Sequence, residues 1–183
     1  MRILNTDKYH LSVEYFIAIE PPKKYAEIIT QFQRKWLNNA LPGLVDPHIT
    51  VKSQAGLKED EYWIDSIKTI CSNFSMFNLL LKGVKSFGKS VVYLGVESDR
   101  INILHRKIVE AISPNPENSR RYYELDLYEP HLTLGSKEFG ICFLGIFICE
   151  YDSDLPFNHY FNTNLLLLYL LTSFGFHTQI ILP

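Results

Sequence analysis

Two short segments carry the same order of residue types, and that order suits proton transfer at phosphorus. Leu44-Val-Asp-Pro-His-Ile-Thr-Val51 and Leu127-Tyr-Glu-Pro-His-Leu-Thr-Leu134 both run apolar, apolar, acid, proline, histidine, aliphatic, threonine, aliphatic. Histidine titrates near neutrality, so one imidazole can take a proton from an attacking oxygen while a second gives one to a leaving oxygen. Threonine hydroxyls can donate to the non-bridging oxygens where charge develops. His48, Thr50, His131 and Thr133 are therefore the candidate catalytic residues. A lone His-x-Thr on a strand is easily found. Two in matching octets weigh more, although a duplicated structural strand would also keep both.

Side chains alternate faces along a strand. His48, Thr50 and Lys52 should point one way and Ile49 and Val51 the other. His131 and Thr133 should share a face opposite Leu132 and Leu134. Lys52, Arg121 and Lys137 are the candidate phosphate-binding cations. His105, on an expected helix beside Arg106, reads as a surface residue. Asp46 and His48 lack a serine placed to complete a triad. Cys71, Cys142 and Cys149 form no close pair and read as thiols in a reducing compartment. The spacing calls for no metal site and no cofactor, and the glycines form no phosphate loop.

The elements around these motifs follow from periodicity and turn chemistry. Tyr15–Glu20 reads as a strand, stopped by Pro21 and Pro22. Lys23–Leu37 reads as a helix through Tyr25, Ile28, Ile29, Phe32 and Trp36. His48–Lys52 is a short strand, and Glu59–Phe74 a second helix. Phe77–Val84 and Val91–Val96 are successive strands, followed by a helix from Ser98 or Asp99 to Ile112. Ser113–Arg121 is a polar loop, and Leu125–Leu134 a strand region. Leu165–Leu171 and His177–Leu182 read as strands, and Phe139–Glu150 fits helix or strand equally. A strand–helix–strand unit leads to each octet, so the chain reads as α+β, with two similar lobes sharing one cleft.

Bulk properties narrow the functions. With 183 residues, 46% apolar and 21% charged, the chain suits a single bilobal domain spanning residues 1–183. A formal net charge of -2 provides no global field for a long duplex, but a local patch suffices for one phosphate. The apolar runs fall short of a membrane span, and the N-terminus lacks a signal-peptide core. The expectation is a cytoplasmic monomer with no membrane contact and no protein partner. Tyr93, Tyr122, Tyr123 and Tyr128 are able to stack on a base, but aromatics make up 14% of the chain and most belong to a core.

At His48-Ile-Thr-Val51 and His131-Leu-Thr-Leu134 the chain resembles the 2H phosphoesterase superfamily. Its nearest branch is similar to the bacterial and archaeal 2'-5' RNA ligase-like proteins, also described as RNA 2',3'-cyclic phosphodiesterases. The resemblance runs from about Tyr15 to Leu182, and the opening YFIAIEPP is similar to that family's first strand. It implies a bilobal α+β fold with pseudo-twofold symmetry, antiparallel sheets flanking a central cleft. It also implies metal-independent cleavage of a 2',3'-cyclic phosphate to a 2'-phosphate. His48 would donate the proton to the leaving oxygen, His131 would activate water, and Thr50 and Thr133 would hold the phosphate. Many ligase-like members carry an arginine two residues beyond the second motif; here the basic residue is Lys137, one position later. The substrate the resemblance implies is an RNA end or a small cyclic nucleotide. A 2'-5' ligase, an enzyme acting on an ADP-ribose derivative and a non-catalytic nucleotide binder stand as alternatives.

Overall fold

The structure is a computed structural model that describes residues 15–36, 39–58, 60 and 62–136, and the backbone of 14, 159–162, 166–172 and 175–182. Its elements in chain order are β1 (Glu14–Ile19), α1 (Lys23–Arg34), β2 (Ile49–Lys52), α2 (Ile64–Ser72), β3 (Asn78–Phe87), β4 (Val91–Glu97), α3 (Asp99–Ile112), α4 (Pro116–Arg121), a 3-10 turn (Leu125–Leu127), β5 (His131–Ser136), β6 (His159–Asn162), β7 (Leu166–Thr172) and β8 (Gly175–Leu182). The class is α+β, as the sequence predicts.

Among the described residues eight antiparallel strands form one sheet in the order β6-β3-β4-β5-β2-β1-β7-β8. The order is symmetric about its centre, where β5 meets β2. The two central strands pair only through Ile49 and Leu132, which occupy the same place in the two octets. A pseudo-twofold axis therefore passes through this pair. It relates β1-α1-β2 to β4-α3-β5. The two sheets implied by the resemblance are here two halves joined at one bridge.

The register carries the symmetry further. Ala18 pairs with Thr50 and Ile17 with Lys52, so Val51 is an extra residue on β2. Tyr93 pairs with Thr133 and Val92 with Gly135, so Leu134 is an extra residue on β5. Each half thus has a one-residue bulge immediately after its motif threonine. Bulges re-aim side chains and leave backbone groups outside the ladder.

The helices form where apolar spacing demands them. On α1, Tyr25, Ile29 and Phe32 are buried, with Pro22 at the N-cap position. On α3, Ile101, Leu104, His105, Ile108 and Val109 form one buried stripe at three- and four-residue steps. Ser113, in the left-handed region at φ 46°, ends α3 just before Pro114. These stripes pack with Ile17, Ile49, Val51, Leu132 and Leu134 into a single core.

Local differences from the sequence reading have physical causes. Ser113–Arg121 is not all loop: the Asn115 side chain accepts from the Glu117 N–H, and Pro116 opens a helical turn, which gives α4. The second helix is shorter than expected, starting at Ile64 behind a run of turns. Within Leu125–Leu134 the strand begins only at His131, because a 3-10 turn precedes it. Phe139–Glu150 lies outside the described residues.

Candidate active site

The single bridge between the halves sets the site. Ile49 and Leu132 point into the core and are fully buried. One antiparallel step either way brings Thr50 across from His131 and His48 across from Thr133. Each histidine thus faces the other motif's threonine, and all four lie on the face opposite Ile49 and Leu132. His48 and His131 are diagonal neighbours, a relation that puts β-carbons on the order of 7–8 Å apart. All four residues are partly exposed, whereas Val51 and Leu134 are buried with the bridge pair.

Both imidazoles are held in the same way. His48 Nδ1–H donates to the Asp46 carbonyl at 2.8 Å. His131 Nδ1–H donates to the Glu129 carbonyl at 2.7 Å. A carbonyl can only accept, so the proton of each neutral ring sits on Nδ1. In that tautomer Nε2 carries the ring's lone pair, and it is the atom that takes a proton or, once the ring is charged, gives one. The acid position of the octet orients the ring through its backbone rather than its carboxylate. Proline between that carbonyl and the histidine fixes φ at the turn.

The surroundings favour the neutral ring. Burial lowers the His48 pKa below 6.5, opposed by the hydrogen bond to Asp46 and reinforced by the charge of His131. Burial also lowers that of His131, opposed by the hydrogen bond to Glu129 and by that residue's carboxylate. Phe16 lies 5.1 Å from the His48 ring centre, and Phe87 and Tyr93 lie 4.9 and 5.1 Å from that of His131. The Glu129 carboxylate accepts from the Tyr93 hydroxyl at 2.8 Å.

A groove of about 610 Å³ opens beside the pair. Thr50, His131 and Thr133 line it, with Phe87, Tyr122 and Tyr123 among its walls. His48 is not among the lining residues; its link to the site is the strand register and its electrostatic coupling to His131. Apolar walls around two polar motifs suit a nucleoside carrying one phosphate.

One of the three cations, Lys52, differs from the sequence reading. Lys52 does not serve the groove: it is fully buried, 2.5 Å from Glu124 Oε1, and also donates to the carbonyls of Ser53 and Ala55. The bulge at Val51 breaks the alternation that would have placed Lys52 beside His48. Arg121 ends α4 exposed, its guanidinium 5.9 Å from the ring centre of Tyr122, a wall residue. Lys137 lies outside the described residues.

His105 is not a surface residue. It is 1% exposed, donates from Nδ1 to the Val51 carbonyl at 2.6 Å, and accepts at Nε2 from the Leu125 N–H at 2.8 Å. Burial lowers its pKa to about 4, so it is neutral. The signal was in the sequence: position 105 falls on the stripe of Ile101, Leu104 and Ile108. Among the described residues no three His, Cys, Asp or Glu side chains group as a metal site. No helix among them is long and apolar enough to cross a membrane.

A family model described as the 2'-5' RNA ligase superfamily matches residues 19–139, which include both octets. The chain belongs to that superfamily. Solved members of the same fold cover nearly all of this 2'-5' RNA ligase superfamily chain. Escherichia coli LigT complexed with NADP+ aligns at a TM-score of 0.59 and 15% identity, over 94% of this chain and 97% of its own. LigT complexed with 3'-AMP aligns at 0.60 and 14%, over 92% and 96%. TT0787 of Thermus thermophilus aligns at 0.64 and 16%, over 93% and 95%. At these identities the likeness is one of fold. No curated protein matches the chain.

Proposed function

We propose that this superfamily member hydrolyses a 2',3'-cyclic phosphodiester, on an RNA end or a small nucleotide, to the 2'-phosphate. The observation that carries the reading is the matched pair of Nδ1–H bonds to the Asp46 and Glu129 carbonyls. They put the lone pair of each neutral ring on Nε2, the atom that takes or gives the proton. Nε2 of His131 takes a proton from water as its oxygen attacks phosphorus. The bond from phosphorus to the 3' oxygen breaks, and His48 supplies the proton that oxygen needs. Thr50 and Thr133 donate to the non-bridging oxygens. The chain works as a single domain, and no metal or cofactor enters these steps.

LigT, a relative in fold, is found complexed with 3'-AMP and with phosphate. Those ligands fit a site for one nucleoside and one phosphate, which the groove's aromatic walls also suit. The same two imidazoles serve a 2'-5' ligation when a 5'-hydroxyl replaces water: His131 takes its proton, the bond from phosphorus to the 3' oxygen breaks, and His48 protonates that oxygen.

The test is incubation with a nucleoside 2',3'-cyclic phosphate in EDTA. Formation of the 2'-phosphate isomer at an undiminished rate is expected. Loss of turnover in chelator, restored by zinc or magnesium, overturns the metal-free mechanism. Nucleotide binding with no turnover at any pH makes the chain a binder instead.

A further inference from the structure

Side chains donate to four backbone carbonyls at the bulges of β2 and β5. Thr50 O accepts from the Tyr128 hydroxyl at 2.8 Å, and Val51 O from His105. Thr133 O accepts from Gln33 Nε2 at 3.0 Å, and Leu134 O from Asn39 Nδ2 at 3.1 Å. The pattern is crossed. Tyr128 and His105 belong to the half built on β4 and β5, yet they hold β2. Gln33 and Asn39 belong to the half built on β1 and β2, yet they hold β5.

Gln33, Asn39 and His105 are buried, so each bond forms away from competing water. The His105 ring stacks flat on Tyr128, with centroids 3.8 Å apart and planes 8° apart, which makes one unit of the two donors on β2. The backbone supplies only one bridge between the motif strands, at Ile49 and Leu132. A single bridge leaves the two strands free to twist about it. The four crossed bonds remove that freedom at the residues that carry the motif threonines.

We propose that Gln33, Asn39, His105 and Tyr128 are positioning residues for the hydrolysis, each pair fixing the His–Thr strand of the opposite half. The claim rests on the reading under Proposed function for its kinetic consequence, but not for its geometric one. The decisive variants are Gln33→Leu, which removes the donor to Thr133 O, and Tyr128→Phe, which removes only a hydroxyl and will fold. His105→Phe tests the same strand as Tyr128→Phe.

Two measurements are made on each folded variant. Steady-state kinetics on the cyclic phosphate should show kcat falling roughly 10- to 100-fold with KM within about threefold, the signature of a displacement of about 1 Å at reacting groups. NMR of the imidazole nitrogens should show the crossed pattern. Gln33→Leu should move the signals of His131 more than those of His48, and Tyr128→Phe should move those of His48. Kinetics within about twofold of wild type in both variants overturns the proposal. So does a shift confined to each variant's own half, or an equal shift of both rings that tracks melting temperature. If wild-type protein fails to turn over, the functional reading falls, and the nitrogen shifts alone decide the positioning.

Discussion

Ile49 and Leu132 face each other at the one point where the two halves of the sheet join. Because they hold the same place in their octets, the residues around them face each other in exchanged order, histidine to threonine and threonine to histidine. On the proposed reading, a phosphate seated between the strands would meet one hydroxyl and one imidazole from each side. This arrangement and its supports lead to four expectations.

Removal of either imidazole should cost about 10²–10⁴ in rate, the range for a general acid or base. His48→Ala and His131→Ala are compared with wild type on the cyclic phosphate. The double variant should be little slower than the worse single one, since both act in one transition state. Near wild-type turnover in either single variant rejects the assigned roles.

The pH profile of kcat/KM should be bell-shaped and centred below 6.5. Burial lowers both histidine pKa values, so the free protein reaches its mixed protonation state only on the acid side of ordinary imidazole. A bound phosphate anion favours the charged ring, so the kcat profile should lie at higher pH than that of kcat/KM. Initial rates from pH 4 to 9 check both statements. A bell centred well above 7 contradicts the first.

Lys52→Met should destabilise the protein by about 3–5 kcal/mol, because Glu124 keeps a buried charge with its partner gone. Lys52→Met with Glu124→Leu should recover most of that loss. The measurement is urea unfolding. Because Lys52 is fully buried and paired with Glu124, the double variant should bind inorganic phosphate as wild type does, and weaker binding returns the lysine to the site.

Acid should destabilise the fold through His105. Its folded pKa is about 4 against 6.5 for an ordinary imidazole, so the unfolded chain binds a proton that the folded one refuses. The contribution is complete above pH 6.5 and is lost as pH falls toward 4. It amounts to roughly 3 kcal/mol, at 1.36 kcal/mol per pH unit. Urea unfolding between pH 4 and 7.5 should show a steeper decline in wild type than in His105→Asn. Parallel curves exclude this origin.

The motif residues and the strand–helix–strand units are legible in the sequence because they depend on local order: periodicity for α1 and α3, alternation for β2 and β5. The place of Lys52 is less so. Strict alternation assigns Lys52 to the histidine's face, and a bulge at Val51 cancels that rule. No single residue type marks the bulge, which depends on how β2 pairs with β1. The crossed donors are equally hidden, since Gln33 and Thr133 lie 100 residues apart. His105 is the opposite case. Its burial follows from a stripe already visible in the sequence, and the polarity of its ring points the other way.

The crossed bonds bear on how such a chain can be divided. Cut between its repeats, each fragment would carry a motif strand whose bulge carbonyls have lost their donors, and would carry donors with nothing to hold. A lone repeat could satisfy them only by embracing a second copy of itself, exchanging helix for helix. Neither half should therefore fold as an autonomous module, and an engineered split of this chain should work only where both pieces are present to complete each other.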